Sequence, residues 1–202
     1  RGDGRDDLVW STPFLLRHGV SERAEVRLLG SGWNWLTGES SGSDSMDGFG
    51  DLEVGAKFLL TRADGWVPHS ALVAGVQFPT GDEDVSPGEP GYDVAWTGEW
   101  HPSDLDTWRV TLGAVRQGFD ADGFQVSGAA ALRYQRTIAE RWTVHAEAGV
   151  FPGFHEARDR AVWGAGLALR VTNDVQFDVA GDFALNDATP DADVTAGFSI
   201  RF

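Results

Sequence analysis

The chain has no cysteine. Disulfide scaffolds, zinc–thiolate sites, iron–sulfur clusters and thiol catalysis are excluded with it. Basic residues are scarce too: 16 Lys and Arg stand against 31 Asp and Glu, a net charge of −15. Nucleic acid is therefore not an expected partner, because phosphate binding needs a basic footprint. Long apolar runs are also missing. The longest stretch free of charged and hydrogen-bonding side chains, the Trp163 indole aside, is the nine residues Ala161 to Leu169. A helix needs about 20 residues to cross a bilayer, so no helical transmembrane segment is expected.

The sequence is rich in glycine and tryptophan, with 26 and nine among 202 residues. Glycine disfavours long helices. A barrel strand crosses a membrane with only about 9–11 residues and reads mildly hydrophilic overall. The mean hydropathy of −0.24 is compatible with such strands. The chain starts at Arg1 without a start methionine or signal peptide, and reads as a mature or truncated segment.

Period-two alternation is clearest at the C-terminal end. From Val194 to Phe202 the even positions are Val, Ala, Phe, Ile and Phe, and the odd ones Thr, Gly, Ser and Arg. One apolar and one polar face mark a strand. The same template recurs upstream and gives eleven expected strands. They lie near Leu8–His18, Ala24–Leu28, Leu52–Leu60, Leu72–Phe78, Tyr92–Trp100, Trp108–Ala114, Phe124–Tyr134, Trp142–Val150, Trp163–Val171, Val175–Leu185 and Val194–Phe202. The first is the least regular and contains Pro13. The polar faces mix charges with Gly and Ala, which suits a crowded lumen better than the surface of a soluble sandwich. The expected fold is all-β: a transmembrane antiparallel up-and-down β-barrel, one domain over residues 1–202. Bacterial single-chain barrels have an even number of strands, so a twelfth, N-terminal strand is expected outside this sequence.

Connections alternate in length, and outer-membrane barrels have short periplasmic turns and longer extracellular loops. A periplasmic C-terminus then places Leu36–Gly48, Thr80–Gly91, Gly118–Gly123, Pro152–Arg160 and Asn186–Asp193 outside, together with Arg1–Asp7 at the N-terminal end. The five loops carry 14 acidic and two basic residues, against six and four in the five turns; the acidity is expected on the extracellular side. Aromatic girdles mark both interfaces. Trp10, Trp33, Trp35 and Trp163 fall near the outer rim. Trp66, Trp100, Trp108, Trp142 and Phe202 fall near the inner one, and only Trp96 is mid-strand.

Five segments, in order, resemble a known family. They are Leu15–Leu28, Gly48–Phe58, Phe78-Pro79-Thr80-Gly81-Asp82, Val175-Gln176-Phe177-Asp178 and Ala196–Phe202. The chain resembles the outer-membrane transporters named after the meta-cleavage pathway of phenol degradation, over nearly its whole length. The resemblance implies a bacterial, Gram-negative outer-membrane barrel and uptake of aromatic or other hydrophobic small molecules.

The polar faces place Arg17, Glu25, Arg27, Glu53, Lys57, Asp93, Glu99, Arg109, Arg133, His145, Glu147, Arg170, Asp178, Asp182 and Arg201 in the expected lumen. Unpaired buried charge is costly, so a ladder of ion pairs is expected, either sealing the interior or lining a selective channel. Glu25, Arg27, Glu53 and Lys57 should form one cross-strand cluster. Asp82, Glu83 and Asp84, Asp44 with Asp47, Asp120 with Asp122, and Asp187, Asp191 and Asp193 read as solvated loop acids. None has EF-hand spacing, although weak divalent binding at Asp82–Asp84 is one reading. His145, Glu147 and Ser127 supply the residue types of a hydrolase triad, but on an inward face, away from lipid. No enzyme, no metal and no cofactor is expected. Met46, His18, His69, His101 and His155 read as loop or strand-end residues. The expected partners are membrane lipids and a small solute carried passively; the alternative is a structural barrel anchoring a larger envelope assembly.

Overall fold

The computed structural model describes residues 8–37, 46–119 and 123–202. Asp44, Asp120 and Asp122 of the loop pairs, and the segment Arg1–Asp7, lie outside the described residues. Fifteen strands and no helix occur among those described. The main sheet contains β2 (Phe14–Gly19), β3 (Ala24–Gly30), β6 (Leu52–Thr61), β7 (His69–Phe78) and β8 (Gly91–Trp100). It continues with β9 (Asp106–Phe119), β10 (Gly123–Ile138), β11 (Trp142–Phe151), β13 (Arg160–Arg170), β14 (Val175–Ala184) and β15 (Ala192–Ile200). Its path is β15-β14-β13-β11-β10-β9-β8-β7-β6-β3-β2, so the eleven expected strands pair in chain order. A twelfth member, β12 (Gly153–His155), pairs with β10 off this path. It follows Pro152, which cannot donate to a ladder, and it falls within the expected loop Pro152–Arg160.

The chain divides into two compact units: Arg1–Phe58 with Val73–Val94 and Arg116–Gln125, and Leu59–Leu72 with Ala95–Val115 and Val126–Phe202.

The alternation has an inverted burial. Among the described residues, Ala71 is the one buried hydrophobic residue. Val54, Phe58 and Leu60 of β6 are exposed, as are Phe177, Val179 and Phe183 of β14 and Phe198 and Ile200 of β15. The opposite face carries glycine and charge at intermediate exposure: Glu53, Lys57, Asp178 and Asp182, with Gly55 buried. A water-soluble domain of this length would bury its large apolar side chains. Here they point away from the polar face, as they do when lipid is the solvent.

Two expectations change at the N-terminal end. Leu8–His18 is two strands, β1 (Leu8–Ser11) and β2. The expected loop Leu36–Gly48 holds the end of β4 (Trp33–Thr37) and most of β5 (Met46–Phe49). These short strands form a second sheet in the order β1-β4-β5. They continue β2, β3 and β6 beyond a common break at Thr12–Pro13, Ser31–Gly32 and Gly50–Asp51. The Thr12 amide donates to the Trp33 carbonyl at 3.0 Å, and the Gly50 amide to the Gly32 carbonyl at 2.8 Å. Phe14 pairs with Gly30 and Ser11 with Asn34. Between these pairs the stretch Ser31–Trp33 has three residues against the two of Thr12–Pro13, and the extra one makes a β-bulge. Gly32 sits at φ +64°, where a side chain is disfavoured, and a Cβ there would run into the Thr12 carbonyl. The extra residue switches the alternation. Trp33 and Trp35, at odd positions, join the side that even positions hold in β3.

Candidate lumen site

The first cluster lies in the N-terminal unit. Register places Glu25 of β3 opposite Lys57 of β6 and next to Gly19 of β2. Arg17 reaches diagonally from β2, and its Nε and Nη2 donate to the two oxygens of Glu25 at 2.9 and 2.8 Å. This fork-to-carboxylate geometry is the strong form of an ion pair. Arg27 Nε stands 3.6 Å from Glu25 Oε1. Glu53 pairs in register with Leu29 rather than with a cation. Its carboxylate and that of Asp93 converge over Gly75, where a Cβ would collide with both. The expected cluster of Glu25, Arg27, Glu53 and Lys57 thus resolves into a bonded core of Arg17, Glu25 and Arg27, with Lys57 beside it and Glu53 turned towards Asp93. Among the described residues, neither Glu53 nor Asp93 makes a hydrogen bond or ion pair.

The second cluster lies in the other unit. Arg133 of β10 faces Glu147 of β11, with Nη1 3.9 Å from Oε2. Glu147 and His145 stand opposite Gly164 and Gly166 of β13, and Gly164 stands opposite Asp182 of β14. A Cβ on Gly166 would strike the His145 ring, and one on Gly164 the Asp182 carboxylate. The glycines are the floor on which the long polar side chains lie. Asp178 faces Ala168 on one side and Gly197 on the other.

Nearer the turns, Arg109 of β9 pairs with Glu99 of β8, its Nε donating at 2.6 Å. Asp106 accepts from Ser103 Oγ and Tyr134 Oη, both at 2.6 Å, and from Arg136 Nη1 at 3.0 Å. Sequence alternation does not single out Asp106, which opens β9 beside the turn. Arg170 and Arg201 are exposed and hold turns: Arg170 donates to the Glu140 carbonyl at 2.8 Å, and Arg201 pairs with Asp174 at 3.2 Å. They stand apart from the other expected lining charges.

The aromatic residues group by end. Trp33 packs against Trp35 and edge-on against Phe49, at 5.9 and 4.8 Å between centroids. Trp10 stands opposite Trp35 in β1 and β4. Trp163 stacks on Phe183 at 5.1 Å. At the other ends of the strands, Trp108 packs on Tyr134 at 4.8 Å, and Trp100 Nε1 donates to the carbonyl of the exposed Trp66 at 3.1 Å. Trp142 and Phe202 are exposed.

The hydrolase residues do not meet. Ser127 pairs with Gly153 and His145 with Gln135, eight residues further along β10, or about 26 Å of strand. No three acidic or imidazole side chains converge on a metal-sized space among the described residues. Asp82 is committed elsewhere: its carboxylate accepts from the Phe49 amide at 2.7 Å.

A family model described as "Putative MetA-pathway of phenol degradation" matches residues 8–202. The chain belongs to this family. The phenol-degradation family member is similar in structure to an outer-membrane channel from Pseudomonas putida F1, with a TM-score of 0.63 and 16% identity over 94% of this chain and 79% of the other. It is also similar to the NanC porin, with a TM-score of 0.65 and 9% identity over 96% of this chain and 94% of the other. No curated protein matches it. Identities this low speak for the fold. The family member has the all-β, antiparallel up-and-down fold of outer-membrane β-barrels.

Proposed function

We propose that the protein is an outer-membrane channel for passive passage of small solutes, aromatic and hydrophobic molecules among them. One observation carries the reading. The face opposite the exposed apolar side chains is lined by charges of both signs lying over glycines. Such a lining is costly in a dry core and favourable beside water. The family description, which names phenol degradation, supports an aromatic solute.

The acidic loops face the exterior in this reading, and Phe202 the periplasm. An acidic mouth disfavours anions. The effect weakens with salt, since the screening length is about 8 Å at physiological ionic strength. The reading assigns the protein no catalysis and no cofactor; among the described residues Ser127 lies well apart along β10 from Gln135, the partner of His145. Planar-bilayer conductance and liposome swelling with the purified protein test the proposal. Measurable ion and small-solute flux is expected, and a correctly inserted barrel that passes nothing would overturn it.

A further inference from the structure

The lumen face is mostly polar but carries an apolar pair beside the break at Thr12–Pro13 and Ser31–Gly32. Leu15 of β2 and Leu29 of β3 are paired in register, and both share the face of Arg17, Arg27 and Glu53. They come from the doublets Leu15-Leu16 and Leu28-Leu29, where both faces of the strand are apolar. A cavity of about 460 Å³ opens against this shelf. Leu15, Leu29 and Pro13 form its apolar wall, and Glu53, Gln77 and Asp51 its polar wall. The volume is within the range of small-molecule sites, about 300–1,000 Å³.

The polar wall is not uniform. Both Asp51 oxygens are occupied, by the Gly81 amide and by Gln77 Nε2, each at 2.9 Å. Glu53 has no hydrogen-bond partner among the described residues and is the acceptor left free. No lining residue of the cavity is basic; Arg27, the cation that acts on Glu53, is not among them. An apolar shelf in a wet lumen gains by being covered, and a free carboxylate beside it gains by receiving a charged donor.

We propose that this cavity binds a small amphiphilic monocation, its one-ring apolar body on Leu15 and Leu29 and its ammonium on Glu53. The site deepens the channel reading, on which its role in passage rests. Binding itself is measured separately from flux.

The test uses the full chain in nanodiscs and three probes of one size: benzylamine, benzyl alcohol and benzoate. Saturable binding of benzylamine is expected, about tenfold tighter than benzyl alcohol because an ion pair replaces a neutral hydrogen bond. Benzoate should not saturate. Glu53→Gln should bring benzylamine to the level of benzyl alcohol and leave the alcohol unchanged. Leu15→Ser with Leu29→Ser should weaken both. Benzoate binding as tightly as benzylamine overturns the site, as does an unchanged benzylamine affinity in the folded Glu53→Gln protein. The wild-type probe series decides the matter if that variant does not insert. Ion conductance without benzylamine binding overturns the site and leaves the channel standing. Saturable benzylamine binding in a barrel that conducts nothing supports the site and overturns the channel.

Discussion

Asp82 bonds Phe49 twice: its amide donates to the Phe49 carbonyl at 2.9 Å, and its carboxylate accepts from the Phe49 amide at 2.7 Å. Asp51 returns the clasp by accepting from the Gly81 amide at 2.9 Å. Two of the family-like segments, Gly48–Phe58 and Phe78–Asp82, are thereby locked together. A Cβ on Gly81 would lie 2.7 Å from the Phe49 carbonyl oxygen and 2.9 Å from the Gly50 carbonyl carbon, both backbone. Asp51→Ala leaves the Gly81 amide and Gln77 unpaired beside a site only 6% exposed. It should destabilise the barrel by about 1–3 kcal/mol. Heat-modified migration on gels gives the check, and an unchanged midpoint would mean that the clasp carries no stability.

The clasp also reshapes the test of charge selectivity. Neutralising Asp82 would disturb structure and field together. Glu83→Gln with Asp84→Asn removes charge and spares the Phe49 bonds. Under the channel reading this pair should lower cation preference in dilute salt and matter little in concentrated salt, because exposed charges are screened. Reversal potentials across a bilayer measure it; equal selectivity at both ionic strengths would place these acids away from the path.

A strained turn offers a gain of stability. Ala139, Glu140 and Arg141 join β10 to β11, the first two with φ of 49° and 50°. Neither is glycine, and the left-handed region costs such residues about 1–2 kcal/mol. Asn and Gly are the residues that hairpin turns with two positive φ angles prefer. Ala139→Asn with Glu140→Gly should raise the unfolding midpoint in urea by an amount worth about 1 kcal/mol. The Arg170 bond to residue 140 uses a backbone carbonyl and survives the change. A lower midpoint would show that the turn is held by contacts of the replaced side chains.

Most of the fold was legible because strand periodicity is local. Val175 to Leu185 announces its two faces without help from any neighbour. The bulge at Ser31–Gly32 was not read, although its signal is present: apolar residues fall at even positions through Val26 and Leu28, then at odd ones through Trp33 and Trp35, with Gly32 between. The charge cluster was read in part. Register brings Glu25 and Lys57 together as expected, but the Arg17 fork and the turn of Glu53 towards Asp93 depend on side-chain length and on the gap left by Gly75. Asp82 was misleading in sequence, since Asp-Glu-Asp looks like solvated acid whether or not one carboxylate is bonded to backbone.

The glycine floor yields the sharpest prediction. Gly166 faces His145 in register, and its missing side chain is the space the imidazole occupies. Gly166→Ala must push the ring off the wall. Overpacking of this kind costs about 1–3 kcal/mol. Under the channel reading the displaced ring moves into the lumen, so single-channel conductance should fall as well. His145→Ala removes the obstacle, and Gly166→Ala added to it should then be nearly neutral in both readouts. Residues in contact are coupled in this way, by about 0.5–3 kcal/mol. Additive effects in the double variant would show that the ring and the glycine do not share one space. An unchanged conductance in Gly166→Ala, with the barrel inserted and destabilised, would mean that this stretch of wall does not border the conducting path.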